Sequence, residues 1–167
     1  MGGFAHPPNL DAVLWFLKEV FPKIRAEEPV NFYVAGSKVP EELKALHSPE
    51  NGIHILGFVS DERLRELYEN CRLVVVPLRY GAGVKGKVIE ALYYGAPVLT
   101  TSIGAEGIPA AETVMEIEDS APRFAEAALR LYRDRAALEG LSARASTYIR
   151  AHNGMDAVWE ALKSDFY

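Results

Sequence analysis

The sequence predicts an α/β fold: a Rossmann-like parallel sheet of about five strands with helices on both faces, followed by carboxyl-terminal helices. Two observations support this prediction. Strand-like and helix-period segments alternate along the chain, which is typical of parallel strands joined by crossover helices. The segment 73–76 is almost continuously apolar, as expected for a strand covered on both faces. The length of 167 residues suits a single domain.

The first predicted helix spans residues 11–24, and either Asn9 or Asp11 is suited to cap its start after two prolines. Pro29 separates this helix from a predicted strand over 30–35, which a glycine closes. The apolar helical stripe consists of Val13, Phe16, Leu17, Val20, Phe21 and Ile24.

In the middle of the chain, the residue pattern predicts a short helix over 40–46 and a strand over 53–56. Ser60, followed by two acidic residues, is typical of a helix start, and this helix should run to about Asn70. The apolar strand 73–76 follows it.

The second half continues the alternation. Residues 84–94 predict a helix that ends at a glycine, and strands are predicted over 97–101 and, more weakly, over 113–117. After Ser120 an apolar helical stripe begins, and two further helices are predicted beyond it. Because parallel sheets bind ligands at the carboxyl ends of their strands, the chemistry is expected in the loops that follow the strands.

Composition excludes several classes of protein. The net charge of −5 argues against a generic binder of nucleic acid, so no nucleic-acid partner is expected. The single cysteine, Cys71, excludes an internal disulfide framework and a cysteine zinc site, and it favours a reducing, cytoplasmic setting. The four histidines lack metal-ligand spacing, so no metal is expected. No apolar run reaches the roughly 20 residues of a membrane helix.

The densest chemical signal is a glycine loop that follows the most apolar strand and opens a helix. Gly81, Gly83 and Gly86 allow the backbone to approach a ligand closely. Lys85 and Lys87 add charge at a helix amino terminus, where the amides already attract anions. The pattern favours phosphate binding; a tight turn with solvated lysines is the alternative.

The spacing of these glycines also matches the dinucleotide fingerprint. This match is discounted because two strands precede the loop and because the hydroxyl-bearing residues 100–102 stand where an acidic ribose ligand belongs. Glu90 lies one turn into the helix and is able to accept hydrogen bonds from the vicinal hydroxyls of a ribose. An intrahelical pair with Lys87 is the alternative for Glu90.

These residues resemble a known family, the group 1 glycosyltransferases (family 4, GT-B fold). The donor-site signature is matched by residues 81–101, Gly-Ala-Gly-Val-Lys-Gly-Lys-Val-Ile-Glu-Ala-Leu-Tyr-Tyr-Gly-Ala-Pro-Val-Leu-Thr-Thr. Further motifs occur in the order of the family: Gly3-x-x-His6-x-Pro8-Asn9, Val34-x-Gly36, Gly57-Phe58-Val59 and Gly104-Ala105-Glu106-Gly107-Ile108.

The resemblance implies retaining transfer of a sugar from a nucleoside-diphosphate donor to a glycan or lipid-linked acceptor. The donor is a substrate, and no cofactor is implied. The catalytic residues are expected to be Lys85, Lys87 and Glu90, with Glu90 at the ribose. Ala82 replaces a family glutamate that contacts the sugar ring. The expected donor-binding residues are Gly36, Phe58, Val59, Ser60, Tyr80, Gly81, Ala82, Gly83, Val84, Gly86 and His6.

The family has two Rossmann-like domains, and this sequence resembles only the donor-binding, carboxyl-terminal one. We therefore expect residues 1–167 to form one nucleotide-sugar-binding domain that lacks the acceptor domain and is inactive alone. The family also has an apolar strand directly before Gly3, where this sequence has only Met1 and Gly2. We expect the sheet to adjust to the missing strand and the chain to self-associate through the exposed sheet.

The alternative function is a nucleotide-binding module without transferase activity, either half of a GT-B sugar-nucleotide epimerase or a dehydrogenase-like domain. The expected location is the cytoplasm, with the full-length enzyme peripheral at the inner face of the membrane.

Overall fold

The computed structural model describes residues 2–152, in which helices alternate with five strands. Every strand pairing is parallel, which confirms the predicted fold class. Each predicted strand is present, with bounds that differ by at most three residues. The strands are β1 (Phe32–Ala35), β2 (Ile53–Gly57), β3 (Val74–Val76), β4 (Val98–Thr100) and β5 (Glu116–Ile117).

The helices connect the strands and close the described part of the chain. A π-helical turn over Phe16–Val20 joins the first two helices. The second further helix predicted after Ser120 lies outside the described residues. The helices are α1 (Pro7–Trp15), α2 (Phe21–Glu27), α3 (Glu41–Lys44), α4 (Asp61–Asn70), α5 (Gly86–Tyr93), α6 (Ser102–Ala105), α7 (Ala121–Arg133) and α8 (Arg135–Ala151).

The first helix differs from its prediction. It begins at Pro7, with His6 in the capping position, because proline at the first helical positions has no amide hydrogen to leave unpaired. The predicted caps were therefore wrong: Asn9 and Asp11 lie inside α1. The π-helical turn stands just before Pro22, which has no amide hydrogen to continue the regular ladder.

Helices cover both faces of β3, as predicted. Val75 packs into an apolar cluster that includes Phe16 of the π-helical turn and Phe21 of α2. Val74 packs into a different cluster, which contains Leu64 and Tyr68 of α4. Neighbouring residues of a strand point to opposite faces, so the two clusters lie on opposite sides of β3.

The strands form two sheets rather than one. β1 pairs with β2, and β3, β4 and β5 pair in that order. An apolar cleft of about 380 Å³ lies between the β1 and β3 segments. Within residues 2–152, β1 and β3 do not pair with each other. Self-association remains a prediction.

Candidate functional site

A second cleft, of about 550 Å³, opens at the carboxyl ends of β1 and β3. We call it the lysine cleft. Its position is that of ligand sites in parallel sheets, outside the strand ends. Its lining residues come from the first ten residues, the loop after β1 and the glycine loop: Gly3, Ala5, His6, Pro8, Asn9, Ser37, Lys38, Leu78, Tyr80, Gly81, Ala82, Val84, Lys85, Gly86 and Lys87.

The glycine loop depends on backbone conformations that favour glycine. Gly81 has φ 120° and Gly83 has φ 79°, both in the region that residues with a side chain rarely adopt. The loop ends at Lys85, which is the capping residue of α5, and the helix begins at Gly86. The first amides of α5 therefore lie beside the cleft, where a helix amino terminus favours an anion.

Lys85 is folded back onto the loop that precedes it. Its side-chain nitrogen donates to the carbonyl of Gly83 and lies 3.1 Å from a carboxylate oxygen of Glu106. Only 9% of the residue is exposed. The lysine therefore stabilises the loop and adds a positive charge to the wall of the cleft. The structure contradicts the alternative of a solvated surface lysine here.

Lys87 is equally buried, and its nitrogen donates to the side-chain oxygen of Asn9. The amide nitrogen of Asn9 in turn donates to the carbonyl of Gly3 at 2.9 Å. Burial, together with the smaller effect of the neighbouring charge of Lys85, lowers the pKa of Lys87 to about 8. Lys87 thus joins the amino-terminal segment to α5 and places a second ammonium group at the cleft.

This lowered pKa predicts a pH dependence of anion binding. We expect the affinity for a nucleoside diphosphate to fall by up to about tenfold per pH unit above pH 8, because Lys87 loses its proton there. In the unliganded chain, the free energy of unfolding should rise from pH 8 towards 10.5, since the unfolded chain keeps this proton longer. Calorimetry and denaturant titration at several pH values measure both effects. The Lys87→Met variant should lack both, and an unchanged pH profile in that variant would contradict the assignment.

Glu90 is 4% exposed and is not among the residues that line the cleft. The hydroxyl of Tyr68, on α4, donates to a carboxylate oxygen of Glu90 at 3.1 Å. This contact connects α5 to the helix that follows β2.

The structure brings only part of the predicted site together. The predicted residues that line the lysine cleft are His6, Tyr80, Gly81, Ala82, Val84, Lys85, Gly86 and Lys87. The predicted residues outside its lining are Gly36, Phe58, Val59, Ser60, Gly83 and Glu90.

Several of these outlying residues have observable structural roles. A β-carbon on Gly36 would stand 1.8 Å from the carbonyl oxygen of Gly2, so only glycine allows the amino-terminal segment to lie against the end of β1. The hydroxyl of Ser60 accepts a hydrogen bond from the amide of Arg63 at 3.2 Å and caps α4, as predicted. Phe58 is 71% exposed.

The sequence pointed to the loop 36–39 after β1, but it did not single out Ser37 or Lys38, and it missed the contact of Asn9 with Lys87. Ser37 and Lys38 directly follow β1, at the strand end where ligands are expected, and this position was the available signal. Asn9 belongs to the first family motif, but its contact with Lys87 spans 78 residues and has no local sequence signal. The short helix α6, capped by the side chain of Thr101, was also missed.

Within residues 2–152, histidine, cysteine, aspartate and glutamate form no group of three or more that is placed to hold a metal ion. No helix in the same range is both long and apolar enough to cross a membrane.

The fold and the position of the cleft define a Rossmann-like α/β domain with a cationic cleft at the carboxyl ends of its strands. The family described as "Glycosyl transferases group 1" matches residues 1–134 of this chain. The match covers more than half of the sequence, and the chain belongs to the group 1 glycosyltransferases.

Individual relatives are longer than this chain. It is 34% identical over 113 residues to an "uncharacterized 44.6 kDa protein in cps region" of Klebsiella pneumoniae; the match covers 64% of this chain and 29% of that protein. In structure, it is similar to TarM, with a TM-score of 0.73, 16% identity and coverage of 96% of this chain and 33% of TarM. It is also similar to WaaG, a glycosyltransferase involved in lipopolysaccharide biosynthesis, with a TM-score of 0.73 and 18% identity. This likeness covers 99% of this chain and 45% of WaaG. At these identities the structural likeness shows the Rossmann-like GT-B fold.

Proposed function

We propose that this chain is the donor-binding domain of a retaining glycosyltransferase that moves a sugar from a nucleoside-diphosphate donor to a glycan or lipid-linked acceptor. The observation that supports this most directly is the convergence of two buried lysines with the amino terminus of α5 on one wall of the lysine cleft. This arrangement suits a diphosphate, which carries several negative charges and accepts many hydrogen bonds.

In the proposed reaction, the same groups stabilise the departing nucleoside diphosphate. Negative charge develops on the leaving phosphate oxygen as the glycosidic bond breaks. Lys85, Lys87 and the helix amides are already held in place by the fold, so they stabilise this charge without costly reorganisation. The donor is the substrate, and the proposal includes no separate cofactor or metal.

The ribose is assigned to Glu90 of α5, and the base to the segment 58–60. Glu90 accepts hydrogen bonds from the two ribose hydroxyls, and Tyr68 holds the carboxylate in place. The exposed ring of Phe58 and the neighbouring backbone flank the base. Ala82 provides no polar group for the sugar ring, so the sugar contacts come from other residues of the cleft, among which His6 lies on its wall.

The Glu90→Gln variant tests the ribose contact. Glutamine keeps the size of the side chain and removes its charge, so binding of a nucleoside diphosphate should weaken by about 1–3 kcal/mol. Binding of the 2′,3′-dideoxy analogue should change little. The Glu69→Gln variant, which removes an exposed carboxylate, is the matched control. Equal losses for the ribose and dideoxy ligands would contradict the assignment.

Titration with uridine and guanosine diphosphate sugars and with NAD tests the proposed function as a whole. We expect micromolar or millimolar binding of a diphosphate sugar and no binding of NAD, measured by calorimetry. Selective binding of NAD would instead favour the dehydrogenase-like alternative. The relative in a cps region and the fold shared with WaaG support a polysaccharide or lipid-linked acceptor.

A further inference from the structure

The lysine cleft contains a third lysine that the proposed diphosphate contacts do not use. Lys38 is exposed, follows β1 and lines the cleft. Lys85 and Lys87 both donate hydrogen bonds to protein oxygens, whereas Lys38 forms no hydrogen bond or ion pair within residues 2–152. Its ammonium group is therefore available to an anion that comes from outside the chain.

The backbone of Lys38 is strained. Its φ of 54° lies in the left-handed region, which residues with a β-carbon rarely adopt. The residues before it are held in place, because the amide of Phe4 donates to the carbonyl of Ser37 at 2.9 Å and the amide of Gly36 donates to the carbonyl of Gly57 at 2.8 Å. Glycine adopts this conformation without strain, so the backbone does not explain a lysine here. Strain of this kind is concentrated at functional sites.

The amino-terminal segment separates Lys38 from the lysines of α5. A β-carbon on Gly3 would stand 3.4 Å from the hydroxyl oxygen of Ser37, and a β-carbon on Gly2 would stand 3.2 Å from the side-chain nitrogen of Lys87. The segment thus lies between the loop that carries Lys38 and the start of α5. One ligand that reaches both sides therefore has two separate anionic groups.

The assignments of the other donor groups leave the sugar as the part that meets Lys38. The diphosphate is assigned to Lys85 and Lys87, which line the cleft, and the ribose and base are assigned to Glu90 and the segment 58–60, which do not. The sugar is joined to the phosphate that lies farther from the nucleoside. It is therefore the part of the donor that extends into the rest of the cleft.

The side chains of the cleft offer more hydrogen-bond donors than acceptors. No aspartate or glutamate is among the described residues that line it, and Ala82 stands where the resemblance expects a glutamate at the sugar. The side-chain amide of Asn9 is already occupied, since its oxygen accepts from Lys87 and its nitrogen donates to Gly3. An ammonium group only donates. A sugar that supplies acceptor oxygens and negative charge therefore suits this wall better than a neutral sugar.

We propose that the sugar of the donor carries a carboxylate, as a hexuronate does, and that Lys38 binds this carboxylate through a charge-assisted hydrogen bond. This inference rests on the proposed function, because it assigns the sugar of a nucleoside-diphosphate donor. The hydroxyl of Ser37, which lines the same cleft, is a second donor for the carboxylate. The diphosphate and the carboxylate thus bind to different cations.

Pairs of donors that differ only at the last carbon of the sugar test the proposal. UDP-glucuronate has a carboxylate where UDP-glucose has a hydroxymethyl group, and GDP-mannuronate and GDP-mannose form the same pair on guanosine. In calorimetry with the full chain, one uronate or both should bind more than about threefold more tightly than the neutral partner, which is the scale of an ion pair in contact with water. A preference below about threefold in both pairs overturns the proposal.

Variants of Lys38 separate its charge from its backbone. Lys38→Met should reduce the preference for the uronate to about onefold, and Lys38→Glu should reverse it, because a carboxylate repels the ligand. Lys38→Gly removes the backbone strain, so its melting temperature should not fall although the preference is lost. The matched control is Lys44→Met, which removes a partly exposed lysine outside the lining of the cleft and should keep the preference. A preference that survives in Lys38→Met overturns the proposal.

The same titrations distinguish this inference from the proposed function. If both members of a pair bind equally well, donor binding stands and the carboxylate assignment is wrong. If no diphosphate sugar binds, the proposed function is wrong and the inference falls with it. Equal losses for both members of a pair in Lys38→Met would show that Lys38 contacts a group that the two donors share, which also overturns the inference.

Discussion

Replacement of both Lys85 and Lys87 with methionine is expected to weaken the binding of a nucleoside diphosphate by at least about 100-fold, since each charged hydrogen-bond donor contributes about 1.5–3 kcal/mol. Methionine keeps the apolar stem of each side chain, so the packing around the glycine loop changes little. Binding of the nucleoside without phosphates should change by less than about twofold. Calorimetry with the diphosphate and the nucleoside measures the difference.

The matched control is Lys18→Met, which removes a lysine whose side chain is 83% exposed. It should leave both affinities unchanged, which separates the local effect of the cleft from a change in net charge. Equal losses for the diphosphate and the nucleoside in the double variant would show that the lysines act through folding, and the phosphate assignment would be wrong.

The Phe124→Ala variant is expected to lose about 3–5 kcal/mol of the free energy of unfolding. Phe124, on α7, is fully buried, and its ring meets the rings of Trp15 and Phe16 edge to face at 5.9 and 6.0 Å. Truncation leaves a cavity between α7 and the amino-terminal helices that surrounding side chains fill only in part. Denaturant titration followed by circular dichroism measures the loss.

Phe58→Ala makes the same chemical change at a ring that is 71% exposed. This control should change the free energy of unfolding by less than about 0.5 kcal/mol. If the two variants lose equal stability, Phe124 is not the packing centre that the structure describes.

Much of the fold was predictable because its signals are local. The apolar run at 73–76, the hydroxyl cap at Ser60 and the glycine stop at Gly95 each depend on residues within one or two turns of each other. The start of α1 and the π-helical turn were not predicted, since proline both favours a helix start and interrupts a regular helix.

The candidate site divides in the same way. The glycine loop, Lys85 and Lys87 are neighbours in the chain, and the pattern predicted their convergence on a helix amino terminus. Ser37 and Lys38 reach the same cleft only because β1 and β3 end at the same edge of the fold. A local pattern does not contain that proximity, because it depends on which strands lie side by side.

The sequence by itself determined the alternation of parallel strands and helices, the cationic glycine loop and the family resemblance. These depend on periodicity and on residue types at short spacing. Only the tertiary structure decided that the lysines are buried, that Asn9 and Tyr68 contact Lys87 and Glu90 respectively, and that the strands form two sheets. The reason is physical: burial, pKa and strand pairing depend on packing between segments far apart in the chain, and that packing exists only once the crossover helices have brought those segments together.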